Sequence, residues 1–187
     1  MAKEPRKKYQ IKIGLKGARP PIWRRLFIVD SVSLPKLHAV IQAVMGWHNC
    51  HLHQFIARGL YYGTPDPDDD FAETQDENKY RLNQFLKREK DTIVYEYDFG
   101  DSWEHQITLE KVLPFDPAET LPSCIKGKGA CPPEDVGGIY AFQDFVAALN
   151  DPTHPEHDTY LEWVGSEYDP QFFNLDQINA RLLWACR

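Results

Sequence analysis

Tyr9, Ile11, Ile13 and Leu15 alternate with Gln10, Lys12 and Gly14 in YQIKIGL, the period-two pattern of a half-buried strand. KGARPP supplies turn chemistry and IWRRLFIVD reads as a second strand, so the two predict a hairpin. The period then changes. In SVSLPKLHAVIQAVMGW the apolar residues Leu37, Val40, Ile41, Val44 and Met45 recur at helical spacing, with Ser33 as N-cap and Gly46 as stop. HLHQFIARGLYYG predicts a further strand, and Tyr80–Lys87 a helix.

The clearest hairpin is DTIVYEYDFGDSWEHQITLEKVL. Ile93, Tyr95, Tyr97 and Phe99 alternate with polar residues on the way in, and Trp103, His105, Ile107 and Leu109 on the way out. Gly100 is the residue expected to supply a positive φ at the turn. The Gly- and Pro-rich LPSCIKGKGACPPEDVGG predicts an irregular connection. After it the apolar residues return to helical spacing in Phe142, Phe145, Val146 and Leu149, and again in Leu175, Ile178, Leu182 and Leu183, with DTYLEWVG a shorter helix between. Strands followed mostly by helices predict an α+β fold: an antiparallel or mixed sheet built from hairpins, helices packed against it, and a helical C-terminal third.

With 187 residues and 42% hydrophobic content, one domain spanning 1–187 with a substantial core is expected. No apolar run reaches the roughly 18 residues of a membrane span, and no h-region follows the basic start, so a cytoplasmic protein without a membrane partner is expected. Cys50, Cys124, Cys131 and Cys186 are then thiols or metal ligands rather than disulfides. The net charge of −7 hides an asymmetry, because residues 1–25 carry nine Lys and Arg against Glu4 alone. Residues 1–8 read as a basic tail and 65–79 as an acidic flexible loop. Lys12, Lys16, Arg19, Arg24 and Arg25 make the N-terminal hairpin a possible contact for nucleic acid or an acidic protein.

Several stretches carry ligand-type side chains. On a strand, His51 and His53 share a face, as a divalent metal site requires; two satisfied imidazoles are the plainer alternative. YDFGDSWEH brings Asp98, Asp101, Trp103 and His105, and PPEDVGG holds Glu134 and Asp135 between rigid and permissive residues. Together these six outline a polar pocket, although His105 on an apolar face also fits a satisfied core histidine and the loop acids also fit backbone caps. The Asp-Phe-Gly tripeptide lacks every accompanying kinase motif and is a coincidence. Phe71 stands where a calcium loop needs glycine, and Cys124 and Cys131 are too far apart for a zinc knuckle. Nucleophile elbows, phosphate-binding loops and dinucleotide fingerprints are absent, so no catalytic residue is named and whether the chain is an enzyme stays open.

Taken together, PPIWRRLFIVDSVSLPKLHAVIQAVMGWHNCHLHQF, YEYDFGDSWEHQITLE, CIKGKGACPPEDVGG and YAFQDFVAAL resemble the plasmid pRiA4b ORF-3-like family over nearly the whole chain. The resemblance implies a compact α+β protein, largely bacterial and archaeal, without an established activity. Some relatives carry a resolvase label and hence a link to mobile elements, but a serine resolvase begins with a parallel α/β catalytic domain and ends in a DNA reader, and this chain has neither pattern. Two readings follow. One is a small binding or interaction module with the pocket where the 98–105 hairpin meets the 132–138 loop. The other is a metal-assisted hydrolase or nuclease drawing on the His, Asp and Glu cluster.

Overall fold

The computed structural model describes residues 6–65, 74–165 and 168–185. Eight strands form one sheet: β1 (Lys7–Leu15), β2 (Trp23–Val29), β3 (His53–Ala57), β4 (Leu60–Gly63), β5 (Gln75–Asp76), β6 (Thr92–Tyr97), β7 (Trp103–Pro114) and β8 (Ser123–Lys128). Their order is β5-β4-β3-β6-β7-β1-β2-β8, antiparallel throughout except for the parallel β4–β5 pair. Four helices, α1 (Leu34–Met45), α2 (Gly138–Asn150), α3 (His157–Val164) and α4 (Leu175–Ala185), complete an α+β architecture. None is long and apolar enough to cross a membrane.

Alternation places Tyr9, Ile11, Ile13 and Leu15 of β1, Leu26 and Ile28 of β2, and Ile107 and Leu109 of β7 on one buried face. On that face β6 and β7 also present Tyr95, Tyr97, Trp103 and His105, each fully buried. Helix α1 packs its Leu37, Val40, Ile41 and Val44 into the same core, and α2 reaches Trp103 through Phe142. The opposite face is polar. A bulge in β7 leaves Glu110 without a partner in register, and its carboxylate takes Arg25 in a bidentate pair at 2.5 and 2.7 Å with Gln10 at 2.7 Å.

Several local expectations change. HLHQFIARGLYYG is a hairpin rather than one strand, because Arg58 and Gly59 both take positive φ (+53° and +77°), as a two-residue turn matching strand twist requires. Residues 80–87 form no α-helix. Short 3-10 turns at Glu77–Lys79 and Leu82–Gln84 are laced to the start of α1 by Leu34 N–H to Tyr80 O and Leu82 N–H to Val32 O. Ser33 precedes α1 but its hydroxyl caps nothing, while Gly46 ends the helix in the left-handed region as expected. The expected irregular segment contains β8, whose edge is covered: the Asn179 side chain of α4 accepts from Cys124 N–H at 2.8 Å and donates to Cys124 O at 3.0 Å. Of the acidic loop, residues 66–73 lie outside the described residues, but Gln75–Lys79 are ordered and Glu77 is buried. Residues 1–5 of the expected basic tail also lie outside them, and Lys7 and Lys8 belong to β1. Phe99 and Leu183 are exposed rather than buried, Phe99 because it lies in the β6–β7 loop and Leu183 on the outer side of α4.

Two histidines sit neutral in the interior. His105 donates from Nδ1 to Trp103 O at 2.9 Å and accepts at Nε2 from the Trp47 indole at 3.4 Å. His38 lies between the Tyr95 hydroxyl and the Asn49 amide oxygen, each at 2.8 Å, and stacks on His53 with ring centroids 3.6 Å apart. Burial pushes both down to about 4, with His53 adding to the effect at His38. The unfolded imidazole titrates near 6.5, so the stabilisation is complete above that value and is lost as pH falls toward 4. Urea unfolding at pH 7.5 and 4.5 should therefore differ by about 2 to 3 kcal/mol per histidine; a flat profile would contradict neutral burial of this pair.

Candidate metal centre

Three segments far apart in sequence converge beyond the end of α1. The first is the 47–52 connection. Gly46 turns the chain out of the helix, and Asn49 (φ +56°) turns it again. Helix α1 holds that turn: Gln42 Oε1 accepts from Asn49 N–H at 2.9 Å, and His38 donates from Nε2 to Asn49 Oδ1. Gln42 and His38 are themselves tied through the Tyr95 hydroxyl, and together they fix the approach of Cys50 and His51.

The second segment is the β6–β7 loop, where Asp98 N–H donates to Leu52 O at 2.8 Å and so clamps this loop to the first. The third is Glu134–Asp135. Asp98 and Asp135 take φ of +60° and +59°, a left-handed backbone that Asp tolerates better than most residues. Among the described residues, four of the six non-glycine positions with positive φ (Asn49, Asp98, Ser102, Asp135) lie in these loops. Such strain gathers where the surrounding structure over-determines the chain.

The loops bring three carboxylates to one imidazole. His51 Nε2 lies 3.2 Å from Asp135 Oδ1, 3.6 Å from Asp98 Oδ2 and 3.8 Å from Glu134 Oε2. No hydrogen bond forms, and both His51 Nε2 and Glu134 Oε2 are buried without a partner among the described residues. The other oxygens of Asp98 and Glu134 are anchored. Asp98 Oδ1 accepts from Gly100 N–H at 2.9 Å, and Glu134 Oε1 accepts from His48 N–H at 2.7 Å and from the Tyr97 hydroxyl at 3.3 Å. Burial raises the Tyr97 phenol above its ordinary value, so it stays a donor.

Donors bonded at roughly 2.0–2.2 Å to one cation stand about 3.0–3.6 Å apart, close to the separations around His51. His51, Asp98 and Asp135 therefore fit as a ligand set, and Glu134 Oε2 stands 3.8 Å from the same His51 nitrogen. Without a cation three carboxylates repel one another; a divalent ion offsets that repulsion and satisfies the orphaned atoms.

Other expected site residues fall elsewhere. His53 does not join His51: only His53 enters β3, where its Nε2 meets Glu77 at 3.1 Å and its ring stacks on His38. The two-histidine metal pair is thereby corrected, because the strand begins after His51 and period-two alternation does not apply to it. Trp103 and His105 belong to the core rather than to a pocket. Asp101 is absent from the set around His51, and its Oδ2 instead accepts from Gly137 N–H at 3.0 Å, at the entry to α2.

Four of the five basic side chains of the hairpin are engaged within the fold. Arg24 is buried, and its guanidinium donates to the carbonyls of Trp23, Val44, Lys128 and Gly129 at 2.8–2.9 Å. Arg25 pairs with Glu110 and Lys16 with Glu104, while Lys12 lies over the Trp23 ring at 5.2 Å and Arg19 occupies an exposed turn. Cys124 and Cys131 are free thiols that burial pushes up, as suits inert core groups, and Cys124 is on β8 rather than in a loop. Sequence reasoning missed Tyr97, whose alternation reads as core, and the Gln42–Asn49 tie, whose residues carry no motif.

Beside the cluster lies a cleft of about 280 Å³ whose lining includes Glu134, His48, Tyr168 and Arg181, and a groove of about 700 Å³ between α1 and α4 adjoins it at His48 and Arg181.

The chain belongs to the plasmid pRiA4b ORF-3-like family, whose model matches residues 7–177. It is similar to the uncharacterized protein y4hQ of Sinorhizobium fredii, 37% identical over 171 residues that cover 91% of this chain and 88% of that protein. Its fold is similar to the crystal structure of the protein of unknown function MM3350 from Methanosarcina mazei Go1, with a TM-score of 0.82 and 32% identity over 92% of this chain and 97% of the other.

The loop geometry separates two glycines. Gly100 has no positive φ, contrary to expectation, and an added Cβ would meet only Asp98 Oδ1 at 3.3 Å. Gly138 has φ +80°, and a Cβ there would stand 2.6 Å from Asp101 O. Gly138→Ala should cost roughly 2 kcal/mol or more and Gly100→Ala under about 1 kcal/mol in denaturant unfolding. Equal costs would show that the α2 terminus is not held against the 98–102 loop as described.

Proposed function

We propose that this member of the plasmid pRiA4b ORF-3-like family is a divalent-metal-dependent hydrolase acting on a small substrate in the cleft beside Glu134. The observation that carries the reading is the meeting of three carboxylates on one unpartnered imidazole nitrogen at 3.2–3.8 Å. A divalent cation held there would polarise a substrate carbonyl or phosphoryl oxygen and acidify a bound water. Asp98 and Glu134, each anchored through one oxygen, fit the role of fixed ligands. Asp135, whose side chain is 73% exposed, can bind or turn to accept a proton. Arg181 lines the same cleft as Glu134 and suits an anionic group on the substrate.

The internal pairing of Arg24, Arg25 and Lys16 takes support from a nucleic-acid surface on the N-terminal hairpin. A second reading, an interaction module, is favoured by the exposed Leu183 and Trp184 at the end of α4, where Trp184 also lines the α1–α4 groove.

Protein purified without chelator or affinity tag should carry near-stoichiometric zinc, iron or manganese by elemental mass spectrometry. His51→Ala and Asp98→Asn should each lower occupancy roughly tenfold or more, while His53→Ala should retain metal. The metal-loaded protein should hydrolyse members of a panel of small esters, amides and phosphoesters, and chelation should abolish the turnover. A folded protein that holds no metal in any of these forms would overturn the hydrolase and leave the interaction module.

A further inference from the structure

We propose that Cys50 is a further ligand at this centre and that its thiolate makes the site select zinc, cobalt(II) or iron(II) over magnesium and calcium; the inference rests on the metal reading above. Cys50 Sγ, a His51 ring nitrogen and a Glu134 oxygen lie within 4.8 Å of one another, a second ligand set that shares His51 with the Asp98–Asp135 set. The placement is built rather than incidental. Asn49 turns the chain under the hold of Gln42, and Cys50 N–H donates to the Tyr97 hydroxyl at 3.1 Å. That same hydroxyl donates to Glu134, so one buried phenol fixes both Cys50 and the carboxylate beside it. Two atoms of the residues in this set, Glu134 Oε2 and His51 Nε2, are buried without partners among the described residues.

Oxygen donors alone suit magnesium, calcium and manganese, whereas thiolate with imidazole suits the softer transition metals. Cys50 binds by losing the proton of its thiol to solvent as the metal–sulfur bond forms, so uptake releases one proton from this residue. Cys50 is an exposed residue whose Sγ lies 3.6 Å from the Tyr97 hydroxyl.

The test uses cobalt(II) added to the full-length, chelator-stripped protein at pH 7.5, read by absorption. Wild type should show a sulfur-to-cobalt charge-transfer band in the near ultraviolet that saturates at one equivalent and resists millimolar magnesium or calcium. Cys50→Ser should lose that band, keep the visible cobalt bands, and bind roughly 10- to 100-fold more weakly. Far-ultraviolet circular dichroism should stay unchanged, the substituted residue being exposed. Visible cobalt bands with no charge transfer in wild type, or an unaltered spectrum and affinity in Cys50→Ser, would overturn Cys50 as a ligand while the carboxylate centre stands. No cobalt binding in either protein would remove the centre and this inference together.

Discussion

A single buried guanidinium sets the frame for the rest of the molecule. Arg24 enters the core from β2, where an unpaired charge would cost several kcal/mol, and each nitrogen of its planar fork donates to a backbone carbonyl. Val44 O belongs to the last turn of α1, where the helix dipole also favours a cation. Lys128 O and Gly129 O mark the end of β8. Arg24 thus fixes the point where the chain leaves α1 toward Cys50 and His51, and the point where it leaves β8 toward Glu134 and Asp135. Two of the three arms of the candidate centre start from carbonyls held by the same side chain. The ring of Phe173, 5.3 Å away, covers the charge from outside.

The third arm, the 98–102 loop, is held from both sides. Leu52 takes its backbone, and the α2 terminus takes Asp101. The division of labour between neighbouring acids is then physical rather than chemical in origin. Asp98 directs one oxygen back to its own loop and one outward to His51, whereas Asp101 is used by a helix terminus. Identical carboxylates, three residues apart, have unlike tasks because only one of them faces the convergence of the three arms.

The sheet core was legible wherever one face is buried and the other wet. The β6–β7 hairpin follows from alternation alone, and so does the interior position of His105. Alternation fails at element ends, which is why His51 and His53 read as a pair although a strand begins between them. It also misses tight turns inside apolar runs, as at Arg58–Gly59, and edge strands such as β8, whose SCIKGK sequence has little to bury. Of the candidate centre, Asp98, Glu134, Asp135 and His51 were visible as residue types in three separate stretches. Their convergence was not, because it depends on the long-range contacts of Arg24, Tyr97 and Asp101, which leave no local period in the sequence.

The side-chain amide of Asn179 stands against Cys124 as another strand would, taking both its N–H and its carbonyl. At the far edge β5 is only two residues long and runs parallel to its neighbour. Among the described residues, neither border of the sheet therefore presents a long row of free backbone groups to a second chain. Short or covered borders of this kind disfavour strand addition, so the sheet offers a second copy little backbone to pair with at either edge.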